Sequence, residues 1–128
     1  MKRTLLLVEG HNCFRESLAL VLGQEADLEV RQAGSLAEGR ACLAAGEVDV
    51  AVVCLPNGEG NKMIRRLREV IPPVPALALD SSPEPTRHAL ALEAGAEEVL
   101  AKGASLEEVL AAVRRLWHEP LARSSICY

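Results

Sequence analysis

Aromatic side chains are scarce: Phe14, Trp117 and Tyr128 are the only three among 128 residues. The core must therefore be aliphatic, and recognition of nucleic-acid bases by stacking is not expected. Positive charge is not in excess either. Fourteen Lys and Arg stand against eighteen Asp and Glu, a net charge of −4, which argues against a general nucleic-acid surface. No apolar run approaches the roughly 18 residues that a membrane-spanning helix needs. After Met1-Lys2-Arg3 a short apolar run already ends at Glu9, too soon for the core of a signal peptide, so a cytoplasmic location is expected. The four cysteines (Cys13, Cys42, Cys54 and Cys127) form no C-x-x-C pair and have no His at ligand spacing. They are expected to be free thiols, with no metal centre. Neither G-x-G-x-x-G nor a P-loop occurs, and no cofactor is expected.

What is present is an ordinary soluble composition, 49% hydrophobic and 25% charged, in a length that suits one domain. Continuous aliphatic runs alternate with helical periods. Thr4 to Val8 reads as a strand buried on both faces, followed by a helical stripe of Phe14, Leu18, Val21 and Leu22 that Gly23 ends. Leu28 to Ala33 is a second strand, and Ser35-Leu-Ala-Glu38 is a capping box that opens a helix. Val48 to Cys54 is the most hydrophobic strand candidate. Met63, Ile64, Leu67, Val70 and Ile71 stripe a third helix, ended by Pro72-Pro73. Ala76 to Leu79 is a fourth strand; Ser82-Pro83 supplies an N-cap and first-turn proline for a helix running towards Gly95. Val99 to Ala101 is a fifth strand, and Ser105-Leu-Glu-Glu108 caps a last helix that ends by Pro120. Five strands joined by helical crossovers predict an α/β fold: one doubly wound (βα)5 domain over residues 1–118, with 119–128 as a tail or linker stub.

In an open parallel sheet the site lies beyond the carboxyl ends of the strands. Those ends carry Glu9-Gly10-His11, Cys54-Leu55-Pro56, Asp80-Ser81 and Lys102-Gly103. With the flanking Leu5-Leu-Leu-Val8, Val48-Asp49-Val-Ala-Val-Val, Pro75-Ala-Leu-Ala-Leu79 and Ala94-Gly95-Ala96, this pattern resembles the receiver domain of bacterial response regulators (the CheY-like, flavodoxin-like superfamily) over residues 2–117. Phe14-Arg15-Glu16-Ser17 and Leu100-Ala-Lys102-Gly-Ala-Ser105 are most similar to the subfamily with a C-terminal helix-turn-helix domain, the NarL/LuxR type. The resemblance implies a five-stranded parallel sheet of order 2-1-3-4-5 and a phosphorelay. An aspartate after the third strand takes a phosphoryl group, an acidic pair after the first holds Mg²⁺, a hydroxyl ends the fourth strand and a lysine ends the fifth.

This sequence departs from that pattern. Cys54 matches the phosphoacceptor, Glu9-Gly10 the acidic pair, Asp80 the hydroxyl and Val99 an aromatic switch position; Lys102 alone is retained. The loop after Cys54 is about two residues shorter than the family's, with Pro56 arriving early. Removing anionic ligands that contribute about 1.5–3 kcal/mol each should abolish metal-assisted phosphorylation. The expectation is a degenerate pocket of Cys54, Glu9, Gly10, Asp80 and Lys102, with no catalytic residue and no metal, in which Lys102 pairs with Asp80 and shares Glu9. Asp80 and Val99 are the candidate switch positions.

His11 is expected to be a solvated loop residue, His88 and His118 helix-surface residues, and Arg65, Arg66 and Arg68 a solvated helix face. The leading functional reading is a non-enzymatic signalling module that acts through protein contacts. Its partners would be a second copy or a DNA-binding output domain or protein, with no direct contact to nucleic acid or membrane. The alternative is a small doubly wound redox or cofactor-binding protein that uses Cys54.

Overall fold

The computed structural model describes residues 2–55, 60–70, 73–81 and 84–118. Pro56, Ile71, Pro72, Ser82, Pro83, Pro120 and the tail 119–128 lie outside the described residues, as does the side chain of His118.

Every predicted element is present. The order is β1 (Arg3–Val8), α1 (Asn12–Leu22), β2 (Leu28–Ala33), α2 (Leu36–Ala44), β3 (Val50–Leu55), α3 (Gly60–Arg68), β4 (Ala76–Asp80), α4 (Pro85–Ala94), β5 (Glu98–Ala101) and α5 (Leu106–His118). The strands form one sheet of order β2-β1-β3-β4-β5, with every neighbouring pair parallel. This is the doubly wound, flavodoxin-like (βα)5 architecture expected from the sequence.

Period-two alternation divides the core into two layers. Leu5, Leu7, Val50, Val52, Cys54, Leu77 and Leu79 face α1 and α5, where they meet Leu22, Val109, Val113, Leu116 and Trp117. Leu6, Val8, Ala51, Val53, Leu55, Ala76 and Ala78 face α2, α3 and α4, meeting Leu43, Ile64, Leu67, Ala91 and Ala94. All residues of β3 and β4 are buried, as strands covered on both faces must be.

Two element starts and one helix face show instructive differences from the sequence reading. β3 begins at Val50 because Asp49 acts as a side-chain acceptor, taking the Thr4 N–H at 2.8 Å. α4 begins with Glu84 at the N-cap and Pro85 in the first turn. The N-terminal-proline logic was sound, but the Ser82-Pro83-Glu84-Pro85 run holds two prolines and the second one starts the helix. In α1 the buried arc centres on Ala19 and Leu22, so Val21 lies at its margin, 39% exposed.

The caps are legible down to single hydrogen bonds. Ser105 and Glu108 exchange backbone N–H to side-chain bonds reciprocally, at 2.9 and 3.1 Å. Ser35 accepts from the Glu38 N–H, while the Glu38 carboxylate reaches one residue further back, to Gly34 N–H at 2.6 Å. At the end of α4, Gly95 has φ +123°, and a Cβ there would meet Arg68 Cγ at 3.0 Å. Glycine is required at that turn on both counts.

Candidate functional site

The strand ends converge on a cavity of about 140 Å³ lined by Glu9, Gly10, His11, Gly34, Cys54, Met63 and Lys102. Glu9 directly follows β1 and is tied down by its N–H, which donates to Ala33 O at 3.0 Å. Arg15 of α1 closes the same turn by donating to Glu9 O at 3.0 Å. The Glu9 carboxylate is therefore turned inward, and the residue is only 3% exposed.

A buried carboxylate needs compensating charge and hydrogen bonds. Lys102 Nζ lies 2.7 Å from Glu9 Oε1. Glu9 Oε2 accepts the His11 N–H at 2.9 Å and lies 3.2 Å from His11 Nδ1. Burial pushes the Glu9 pKa up, but the Lys102 ammonium and the His11 contacts outweigh it and hold the group below its usual value. Lys102 also lies over the Phe14 ring, 4.8 Å from its centroid, a cation–π contact that fixes the ammonium from the α1 side.

Cys54 is 3% exposed and belongs to the core layer under α1 and α5. Burial and then the Glu9 charge push its thiol up to about 12, against the opposing pull of Lys102. At neutral pH it is a protonated, poorly nucleophilic thiol.

Asp80 is the second buried carboxylate, 1% exposed. The expected Lys102–Asp80 ion pair gives way to a different arrangement. Lys102 pairs with Glu9, and Asp80 Oδ1 faces Arg87 Nη2 of α4 at 3.6 Å. Sheet parity explains the difference. Asp80 continues the Ala76–Ala78 side towards α3 and α4, whereas Cys54 continues the Val50–Val52 side towards α5. Lys102 stays linked to Asp80 only through the backbone, its N–H donating to Asp80 O at 2.8 Å.

The structure thus brings Glu9, Gly10, Cys54 and Lys102 together and sets Asp80 apart, on the opposite side of the sheet rim. Val99 lies partly buried against the α2–α3–α4 layer, outside the cavity lining. His11 is exposed over 82% of its side chain, as a loop histidine should be, yet it contacts Glu9. Sequence reasoning missed Arg87 and the ring of Phe14. The available signal for Arg87 was a basic residue in the first turn of a helix, where the dipole disfavours it and a nearby carboxylate must compensate. No helix among the described residues is long and apolar enough to cross a membrane.

Comparison with known proteins agrees with this architecture. The DNA-binding transcriptional activator DevR/DosR of Mycobacterium tuberculosis is 34% identical over 113 residues, 86% of this chain and 52% of that protein. The transcriptional regulatory protein CreB of Escherichia coli is 33% identical over 116 residues, 90% of this chain and 51% of that protein. The chain spans about half the length of the curated relatives it matches. Among solved structures, a response regulator protein from Burkholderia pseudomallei, crystallised with a phosphorylated aspartic acid, calcium ion and citrate, superposes with a TM-score of 0.78. It is 25% identical, with 98% of this chain and 74% of that one covered. The sheet order, the charged rim and a match of residues 5–114 to the response regulator receiver domain model lead to one conclusion: the chain belongs to the response regulator receiver (CheY-like) family of two-component systems.

Proposed function

We propose that this receiver domain passes on its signal through protein–protein contacts and takes up no phosphoryl group at its rim. The observation that carries the reading is the 2.7 Å Lys102–Glu9 ion pair beside the buried Cys54 thiol. Phosphoryl transfer to a side chain needs an accessible nucleophile, together with positive charge to neutralise the transferring group. Cys54 stands where the family pattern has its acceptor aspartate, but a buried thiol pushed up to about 12 supplies no anionic oxygen or thiolate. Lys102, the retained cation, already serves Glu9.

The family implies Mg²⁺, and the donor set does not fit it. Mg²⁺ demands several oxygen ligands in near-octahedral array. Gly10 brings no side chain, Cys54 brings sulfur, and Glu9 is committed to Lys102 and His11. Among the described residues no group of three or more His, Cys, Asp or Glu could hold a metal ion. The backbone itself is compatible with a side chain at Gly10, where a Cβ would have Gly34 O as its nearest neighbour at 3.8 Å. The missing carboxylate there is a matter of residue identity, not of space.

The module is non-enzymatic on this reading. It works in the cytoplasm with a second copy or a DNA-binding output domain or protein; the name of the DNA-binding transcriptional activator DevR/DosR is in line with the latter. Phe14-Arg15-Glu16-Ser17 is the feature that favours kinship with the NarL/LuxR type. The competing redox reading of Cys54 loses ground, because burial and a raised pKa both suppress thiol chemistry.

The test is incubation with excess acetyl phosphate or phosphoramidate and Mg²⁺, followed by intact-mass measurement. The expected result is unmodified protein. A stoichiometric gain of one phosphoryl group that maps to the rim overturns the proposal.

A further inference from the structure

We propose that Arg87 tethers α4 to the rim of β4 through the buried carboxylate of Asp80, so that the position of α4 is set by a charge pair within the chain. The inference concerns a region outside the Glu9–Lys102 cavity and stands independently of the proposed function.

Three observations carry it. Asp80 ends β4 with 1% exposure, and its Oδ1 lies 3.6 Å from Arg87 Nη2, whose side chain is 27% exposed. A carboxylate so deeply placed is costly unless a cation accompanies it. Arg87 is in the first turn of α4, where the helix dipole disfavours positive charge, so its placement there needs compensation that Asp80 supplies.

The third observation is a cleft. Beside the pair is a cavity of about 110 Å³ lined by Leu55, Asn61, Asp80, Arg87, Leu90 and Ala91. Among the described residues, side chains leave this space between the first turns of α4 and the sheet rim open. The ion pair borders this space and opposes a shift of the helix into it. Leu90 and Leu92 of the same helix are 44% and 49% exposed, so the pair also fixes the direction in which α4 presents apolar surface.

Amide hydrogen exchange read by mass spectrometry tests the tether, with no phosphodonor present. In Arg87→Met, exchange across residues 89–94 is expected to accelerate about tenfold, equivalent to ~1.4 kcal/mol of local opening, while α5 keeps its protection. Asp80→Asn should act alike, and the double variant should add nothing further. Arg87→Lys should retain most of the protection. Unchanged α4 exchange in Arg87→Met overturns the proposal. So does an equal acceleration in α5, which would mean global destabilisation, or a loss in Arg87→Lys as large as in Arg87→Met. A phosphoryl adduct in the earlier experiment would overturn the proposed function and leave the tether standing.

Discussion

Removing the Lys102 ammonium while keeping the Glu9 carboxylate is the most informative perturbation of this rim. At 2.7 Å and an effective dielectric constant of about 20, the pair's gross Coulomb attraction is ~6 kcal/mol. Lys102 is 21% exposed, so water partly replaces it once it is gone, and the His11 N–H still serves Oε2. Breaking a fully buried pair costs about 3–5 kcal/mol; with this access to solvent, Lys102→Met should cost ~2–3 kcal/mol near neutral pH. The pH dependence is a sharper readout than the magnitude. In the native protein Glu9 is held below its usual 4.5, so it contributes stability that is present above 4.5 and is lost as pH falls through the lowered folded-state value. Without Lys102, burial dominates and the folded-state pKa rises above 4.5. The variant is then penalised at neutral pH and recovers stability as acidification protonates Glu9. Urea unfolding followed by Trp117, the single tryptophan, on the buried face of α5, measures both curves between about pH 3 and 7, which brackets the carboxylate range. The double variant Glu9→Gln/Lys102→Met should regain most of the loss, since no buried charge is left behind. A cost below about 0.5 kcal/mol with an unchanged pH slope would refute the assignment of Lys102 as the counter-ion.

Two further predictions rest on other parts of the fold. Alkylation by iodoacetamide at mildly alkaline pH should modify exposed Cys13 at least about a hundredfold faster than Cys54, whose thiol is buried and pushed up to about 12; comparable rates would contradict its burial. Gly95→Ala should lower stability by ~1–2 kcal/mol, because φ +123° strains an L-residue and the new Cβ meets Arg68 Cγ at 3.0 Å, an outcome read from the urea midpoint at constant m-value.

Much of the fold was written in local chemistry. Aliphatic runs and capping boxes located ten elements because each signal there is set by residues adjacent in sequence, as with Ser105 and Glu108. The rim residues were legible too, since strand ends in a parallel sheet fall where the aliphatic runs stop. The pairing among them was not. Which carboxylate Lys102 meets depends on the face of the sheet each side chain enters, and one residue of offset decides it. Expecting Lys102 to pair with Asp80 overlooked that β4 ends on an α4-facing residue while Cys54 faces α5. Arg87 was missed for a related reason: its role is visible only once α4 is seen to start at Pro85, which puts residue 87 in the first turn over Asp80.

The two ion pairs together give the rim its chemical character. Among the described residues, each face of the sheet carries one buried carboxylate, and each carboxylate meets a cation from a different element, Lys102 after β5 and Arg87 in α4. For a phosphoryl group to settle at the end of β3, Lys102 would have to leave Glu9, stranding a carboxylate that is only 3% exposed. The incoming dianion would then face Glu9 in like charge, a repulsion of ~4 kcal/mol per unit charge at 4 Å and an effective dielectric constant of about 20. Both costs act in the same direction, and the donor set available to a divalent cation offsets neither. On the proposed reading, side chains of the chain already meet the charge balance that Mg²⁺ and a phosphate would otherwise supply, and the rim serves to hold strand ends and helices in one arrangement.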